Sequence, residues 1–129
     1  MSLENSVVHF EIPAENVERA QEFYKKAFQW KINPIPQMQY TILHTTPVDE
    51  KMMLKEKGAI NGGMLKKNDM VKAPSITINV ANFEKAVKEI EKAGGKMLSK
   101  KTTVGDMGYM AYFKDTEGNV MSIWENIKK

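Results

Sequence analysis

The chain opens, after MSLENS, on a strict alternation. In VVHFEIPA (7–14), Phe10 and Ile12 fall on one side of an extended strand, and Val7, His9 and Glu11 fall on the other. The period then changes. In NVERAQEFYKKAF (16–28), Val17, Ala20, Phe23, Tyr24, Ala27 and Phe28 make a stripe at helical spacing, and Asn16 stands where an N-cap belongs. Strand-like runs follow at WKINPIP (30–36), QYTILHT (39–45) and GAINGGML (58–65). The pattern predicts strand, helix, strand, strand, strand.

The same order then recurs. Asn16, Glu18, Ala20, Lys26 and Ala27 reappear in NFEKAVKEIEKAG (82–94) as Asn82, Glu84, Ala86, Lys92 and Ala93, every pair 66 apart (82 − 16). SITINVAN (75–82) lies over HFEIPAEN (9–16) without a gap; Ile76, Ile78 and Val80 share the helix-facing side, with Ser75, Thr77 and Asn79 on the other. KMLS (96–99), YMAYFK (109–114) and NVMSIWE (119–125) complete the second set, and DTEGN between the last two is a hairpin signal. A period of this length is too long for a solenoid. It predicts an α+β chain of two tandem βαβββ modules, about 6–66 and 73–127, with a concavity shared by their sheets.

Composition narrows the function classes. The 129 residues are 42% hydrophobic and 27% charged, enough for a core beneath a solvated surface. Nineteen basic against 16 acidic residues give only +3, and the lysines fall in scattered doublets rather than a stripe, so no nucleic-acid partner is expected. The absence of cysteine excludes disulfides, zinc–thiolate sites and a cysteine nucleophile. No apolar run approaches the roughly 20 residues that cross a bilayer, so no membrane partner is expected. MSLENS has no basic segment leading into an apolar one, and the expected location is the cytoplasm.

HFEIPAENVERAQEFY followed by AFQW, and the closing FKDTEGNVMSIWE, resemble the entry and exit motifs of the vicinal oxygen chelate superfamily: glyoxalase I, extradiol dioxygenases, and bleomycin or fosfomycin resistance proteins. The resemblance covers nearly the whole chain. It implies a single domain over 1–129 whose two modules form a curved, half-open barrel-like sheet with the helices outside. Metal-dependent members carry four ligands on four strands, two from each module. The resemblance puts those positions at His9 (seven before Asn16), Ser75 (seven before Asn82), Ser122 (four after Gly118) and Gly62 (four after Gly58). One of the four is a ligand type, whereas catalytic divalent sites take at least three from His, Asp and Glu. No metal or other cofactor is therefore expected.

Alternation places Val7, His9, Glu11, Ser75, Thr77, Val120, Ser122 and Trp124 on the concave side, and the alignment of GAINGGML adds Ile60, Gly62 and Met64. This is an apolar wall with a few hydroxyls and one acid–imidazole pair, the make-up of a small-ligand site. His9 and Glu11, one pleat apart, read as a general acid/base pair or as cavity-wall residues satisfied by backbone or water. Trp124 reads as a flat ligand contact or as plain core. Tyr40, Tyr109 and Tyr112 are further candidates for the cavity, parity alone not deciding which of them reach it, and nothing in the sequence sets His44 opposite His9. KKTTVGDMGYM (100–110) and PVDEKMMLKEKG (47–58) read as loops near the pocket mouth. The expected function is metal-independent binding of a small molecule. The alternative is an enzyme of the same superfamily, either a metal-dependent lyase, isomerase or dioxygenase, or a metal-free catalyst using His9 and Glu11. A homodimer is expected, because WKINPIP carries two prolines suited only to an edge strand and large apolar groups lie beside it.

Overall fold

The computed structural model describes residues 4–51, 54 and 58–127. The chain divides into two compact units: a first, His9–Pro74, and a second, Ser75–Lys129 together with Met1–Val8. The division follows the repeat, except that the N-terminal residues group with the second unit. The backbone explains why: Asn5 N–H donates to the Asn79 carbonyl at 2.6 Å, and Asn79 N–H donates to Ser6 at 2.8 Å.

The first module runs β1 (Val7–Ala14), α1 (Val17–Phe28), β2 (Lys31–Ile35), a 3-10 turn (Pro36–Met38), β3 (Tyr40–His44) and β4 (Gly62–Lys66). Its strands lie in the order β2-β3-β4-β1; β1 and β4 are parallel and the other pairs antiparallel. Asn16 starts α1 as expected, its side chain accepting from Arg19 N–H at 3.0 Å, and Gln29 in the left-handed region ends it. Val17, Ala20 and Tyr24 pack on a core of Ala14, Leu43 and Met64, joined by Phe10, Ile12, Trp30 and Ile32. Phe23 and Phe28 belong to the same stripe by spacing, yet both are 57% exposed. Strand β2, which carries Pro34, lies at the end of the strand order, where proline is tolerated.

The second module runs β5 (Ser75–Asn79), α2 (Phe83–Lys92), β6 (Lys96–Met97), β7 (Thr102–Val104), β8 (Gly108–Lys114) and β9 (Val120–Asn126). The order is β5-β9-β8-β6, with β7 also on β8, and β5 is parallel to β9 as β1 is to β4. Asn82 caps α2 through Lys85 N–H at 3.0 Å, repeating Asn16. Ala86, Val87 and Ile90 pack over Val80, Phe83, Ala111, Phe113 and Ile123. The strand–helix–strand–strand–strand order of the first module therefore recurs in the second with one short strand, β7, added between β6 and β8, and the helix caps lie 66 residues apart (82 − 16).

KKTTVGDMGYM is not a loop. Thr102, Thr103 and Val104 pair with Met110, Tyr109 and Gly108, and Gly105, at φ +54°, turns the chain between them. The β-branched Thr-Thr-Val run supplies the strand that an aliphatic pattern did not announce. PVDEKMMLKEKG lies partly outside the described residues; within them, Val48 bridges to Leu54. Among the described residues, no helix is long and apolar enough to cross a membrane.

Candidate functional site

The register decides which side chains share a face. In the first unit Phe10 pairs with Gly62, Glu11 with Gly63 and Ile12 with Met64; across β4, Leu43 pairs with Gly62, Ile42 with Gly63 and Thr41 with Met64. Paired residues point the same way. Phe10, Ile12, Thr41, Leu43, Gly62 and Met64 thus face α1, while His9, Glu11, Tyr40, Ile42, His44 and Gly63 lie on the helix-free face.

This corrects the expected lining at β4. Met64 is fully buried against Ala14 and Leu43 in the core under α1, and Gly62 lies against Phe10. Ile60 precedes the strand, and its carbonyl accepts from Thr45 Oγ1 at 2.5 Å. Gly62 and Met64 lie on the face opposite His9 and Glu11, and Ile60 lies outside the strand. The alignment through the loop slips by one residue, and a one-residue slip exchanges the faces. The residue opposite Glu11 is Gly63.

On that face three polar side chains form a chain. Tyr40 Oη donates to Glu11 Oε2 at 2.9 Å, and His9 Nε2 lies 2.8 Å from Tyr40 Oη. Glu11 is 7% exposed, unusual for a carboxyl group without partners. Burial lowers the His9 pKa below its ordinary 6.5, and the charge of Glu11 opposes the shift without cancelling it. The imidazole is therefore neutral at pH 7. Gly63 makes room for the arrangement: a Cβ there would stand 1.9 Å from Tyr40 Oη. His44 shares the face and pairs with Lys31 across β2 and β3; burial, then Lys31, lowers its pKa as well.

In the second unit, Thr77 pairs with Ser122, and Ser122 with Tyr112; Trp124 pairs with Met110 and Val120 with Lys114. Ser75, Thr77, Val120, Ser122 and Trp124 therefore share one face, as expected from alternation, and Tyr112 joins them. Tyr109 does not: it packs on the helix-side core, with Lys101 Nζ 4.2 Å from its ring centre. Glu125 also faces that side and accepts from Phe83 N–H at 2.6 Å, reinforcing the start of α2. Val7 keeps the parity of His9 but is 41% exposed.

The four positions implied by the metal-dependent relatives do not fit a divalent ion. The β4 position carries glycine whether counted as Gly62 or Gly63. Ser75 Oγ donates to the Val120 carbonyl at 2.7 Å, and Ser122 Oγ is bonded to Thr77 Oγ1 at 2.7 Å. Among the described residues, no three His, Cys, Asp or Glu gather as metal ligands do.

Tyr40 is the member of the site that sequence reasoning left open. In QYTILHT both parities mix polar and apolar residues, so alternation is silent. The decisive contact is remote: Gln21 on α1 donates to Thr41 Oγ1 at 2.7 Å, which lets a threonine face the helix and turns Tyr40 to the other side.

Residues 6–46 match the model of the bleomycin resistance protein-like N-terminal family. A glyoxylase-like domain-containing protein of Didymella fabae is 31% identical over 128 residues, covering 95% of each chain. Among solved structures, Streptomyces coelicolor methylmalonyl-CoA epimerase in complex with 2-nitronate-propionyl-CoA is similar, with a TM-score of 0.68, 14% identity, and 98% of this chain and 100% of that one covered. A glyoxalase/bleomycin resistance protein/dioxygenase superfamily member from Vibrio splendidus 12B01 has a TM-score of 0.63 at 9% identity, covering 95% and 99%. The two structures share the fold, and the Didymella relative extends the kinship along almost the whole sequence: the chain belongs to the vicinal oxygen chelate superfamily, the group of the glyoxalases, bleomycin resistance proteins and extradiol dioxygenases.

Proposed function

We propose that this protein binds a small molecule without a metal, and that the helix-free face of its first unit supplies the polar contacts that orient the ligand. The observation that carries the reading is the chain of hydrogen bonds from His9 through Tyr40 to the buried Glu11. Its neighbours on the face are Ile42 and Gly63, so a few ordered polar groups stand in an apolar setting, which is how ligand sites are built. The metal-free part rests on the donor set: hydroxyls already bonded to protein, and a glycine, at three of four positions.

Native mass spectrometry and thermal shift against a metabolite panel test the binding. The expected result is a compound whose stabilisation is lost in both Glu11→Gln and Tyr40→Phe; a ligand indifferent to both changes overturns the assignment to this face. Elemental analysis of untagged protein prepared without chelator should find no stoichiometric Ni, Zn, Fe or Mn. One metal per chain, lost on His9→Ala, overturns the metal-free reading.

A second reading is favoured by the neutral imidazole and by the epimerase among the similar structures. A neutral His9 backed by a carboxylate can take a proton from a carbon acid. Solvent deuterium would then enter the bound compound at carbon, and His9→Gln would abolish the exchange. We also propose a homodimer, supported by the exposed Phe23 and Phe28 and by the proline-bearing edge strand β2. Light scattering at micromolar concentration should give twice the chain mass, for an interface of about 1,600 Å² in total. A monomer there removes the proposal.

A further inference from the structure

We infer that Tyr40 is a positioning residue that fixes the tautomer of His9, leaving Nδ1 as a hydrogen-bond acceptor, so that the site takes a ligand presenting a hydroxyl or amide N–H rather than an anion. The inference rests on the binding face proposed above and adds the chemical class of what binds there.

A phenol hydroxyl has one proton. Tyr40 gives that proton to Glu11 Oε2, at 2.9 Å. Towards His9 the same oxygen can only accept, and His9 Nε2 stands 2.8 Å away. The proton of a neutral imidazole must then sit on Nε2, and Nδ1 carries the lone pair. Rotating the ring by half a turn would put carbon at the Tyr40 contact and break the chain. Nδ1 has no hydrogen-bonding protein partner among the described residues, and since no fully buried side-chain nitrogen or oxygen there lacks a partner, Nδ1 keeps some contact with solvent, from which a donor group can approach. Burial keeps the ring uncharged at neutral pH, as described above. The carboxylate at the far end of the chain repels an anion in a poorly screened setting. Lone pair and charge thus select for the same thing, a donor that is not an anion.

Gly63 belongs to the same device. Any side chain there would displace the Tyr40 hydroxyl and unlock the imidazole. Tyr40→Phe is the cleaner probe because it keeps the ring over β4 and removes only the hydroxyl.

The test is long-range proton–nitrogen NMR of the full chain labelled at histidine, with His44→Gln to assign the two rings. The expected spectrum has His9 protonated at Nε2 and bare at Nδ1, and Tyr40→Phe shifts it to a mixture with substantial Nδ1–H. A wild-type His9 protonated at Nδ1 overturns the inference without any variant having to fold. A folded Tyr40→Phe protein that keeps a pure Nε2–H tautomer overturns the role of Tyr40. Small alcohols and primary amides, titrated beside their matched carboxylates, then test the ligand class. The amides and alcohols should move the His9 Nδ1 resonance at concentrations at least tenfold below the carboxylates; the reverse order overturns the ligand class. If no probe moves any resonance of the face, the proposed binding face falls with the ligand class, while the tautomer lock stands.

Discussion

The helix-free faces of the two units are built alike and furnished differently. Each sets an aromatic ring diagonally over a glycine on the neighbouring strand. Tyr40 lies over Gly63, and Trp124 lies over Gly108, where an added Cβ would stand 2.3 Å from the indole. The first ring ends in a hydroxyl tied to a carboxylate and an imidazole; the second ends in an indole N–H given to Asn126 Oδ1 at 2.8 Å. At the positions of His9 and Glu11, 66 residues on, stand Ser75 and Thr77, and their hydroxyls bond only neutral groups. The duplicated frame fixes where side chains point, and which of them can carry or shift a proton differs between the copies. The acid–imidazole pair belongs to the first copy alone.

The largest test of that contrast is at the two glycines. Gly63→Ala forces the phenol off β4, and a clash with a ring held by hydrogen bonds should cost about 3 kcal/mol, the upper part of the range for overpacking. Gly108→Ala should cost a similar amount: the indole has less far to move, but the added Cβ also stands 2.7 Å from the Glu125 carbonyl oxygen, which is backbone. The variants differ in what else is lost. Gly63→Ala should change the His9 imidazole signals and abolish ligand stabilisation, whereas Gly108→Ala should leave the His9 signals in place. Thermal melts with the NMR spectra decide it; unchanged His9 signals in Gly63→Ala would separate the glycine from the polar chain.

A smaller effect belongs to the second face. Ser122 is fully buried and bonded to Thr77, itself 6% exposed. Ser122→Ala strands the Thr77 hydroxyl away from water and should cost about 1–2 kcal/mol. Thr77→Val strands Ser122 in turn. The double variant should lose clearly less than the sum of the two, because no hydroxyl is then left unpaired. Urea unfolding of all four proteins measures the coupling. Additive losses would mean that the pair is not a closed unit, and that one hydroxyl already serves something else.

Much of this frame was legible in the sequence, for identifiable reasons. The 66-residue spacing fixed the second helix, its cap and the strand before it, because equal local patterns fold equally. The face of Ser75 and Thr77 was readable since polar and apolar residues alternate cleanly in SITINV, whereas NVMSIWE mixes both kinds on each parity, and Ser122 and Trp124 were placed by their count from Gly118. At GAINGGML the face was not readable. Gly62 and Gly63 have no side chains to reveal a face, and the count from Gly58 crosses residues that make no strand. Tyr40 was hidden in the same way, behind a buried Thr41 whose partner, Gln21, lies 20 residues earlier on a helix. Long-range hydrogen bonds that make a polar residue acceptable on a core face leave no local signal.

The smallest effect is the pH response, and it separates the faces because one contributes a slope and the other contributes none. His9 titrates below its ordinary 6.5 in the folded chain, first because it is buried and despite the opposing charge of Glu11. As pH falls past 6.5, the unfolded chain takes up a proton that the folded chain still refuses, so stability is full above 6.5 and declines as pH falls through the folded pKa. His44 is shifted in the same direction by burial and Lys31 and adds to the decline. One proton can contribute at most about 1.4 kcal/mol per pH unit. In a His44→Gln background, unfolding free energy should therefore fall between pH 7 and pH 5.5, and His9→Gln should flatten that part of the curve. Glu11→Gln removes the one influence that raises the His9 pKa, so the decline should continue to lower pH than in the parent. Ser122→Ala and Thr77→Val, whose groups do not titrate, should shift the whole curve down without changing its slope. Stability that rises from pH 7 to 5.5 in the His44→Gln protein would mean that His9 gains its proton on folding, and that the attraction of Glu11 outweighs the cost of burial.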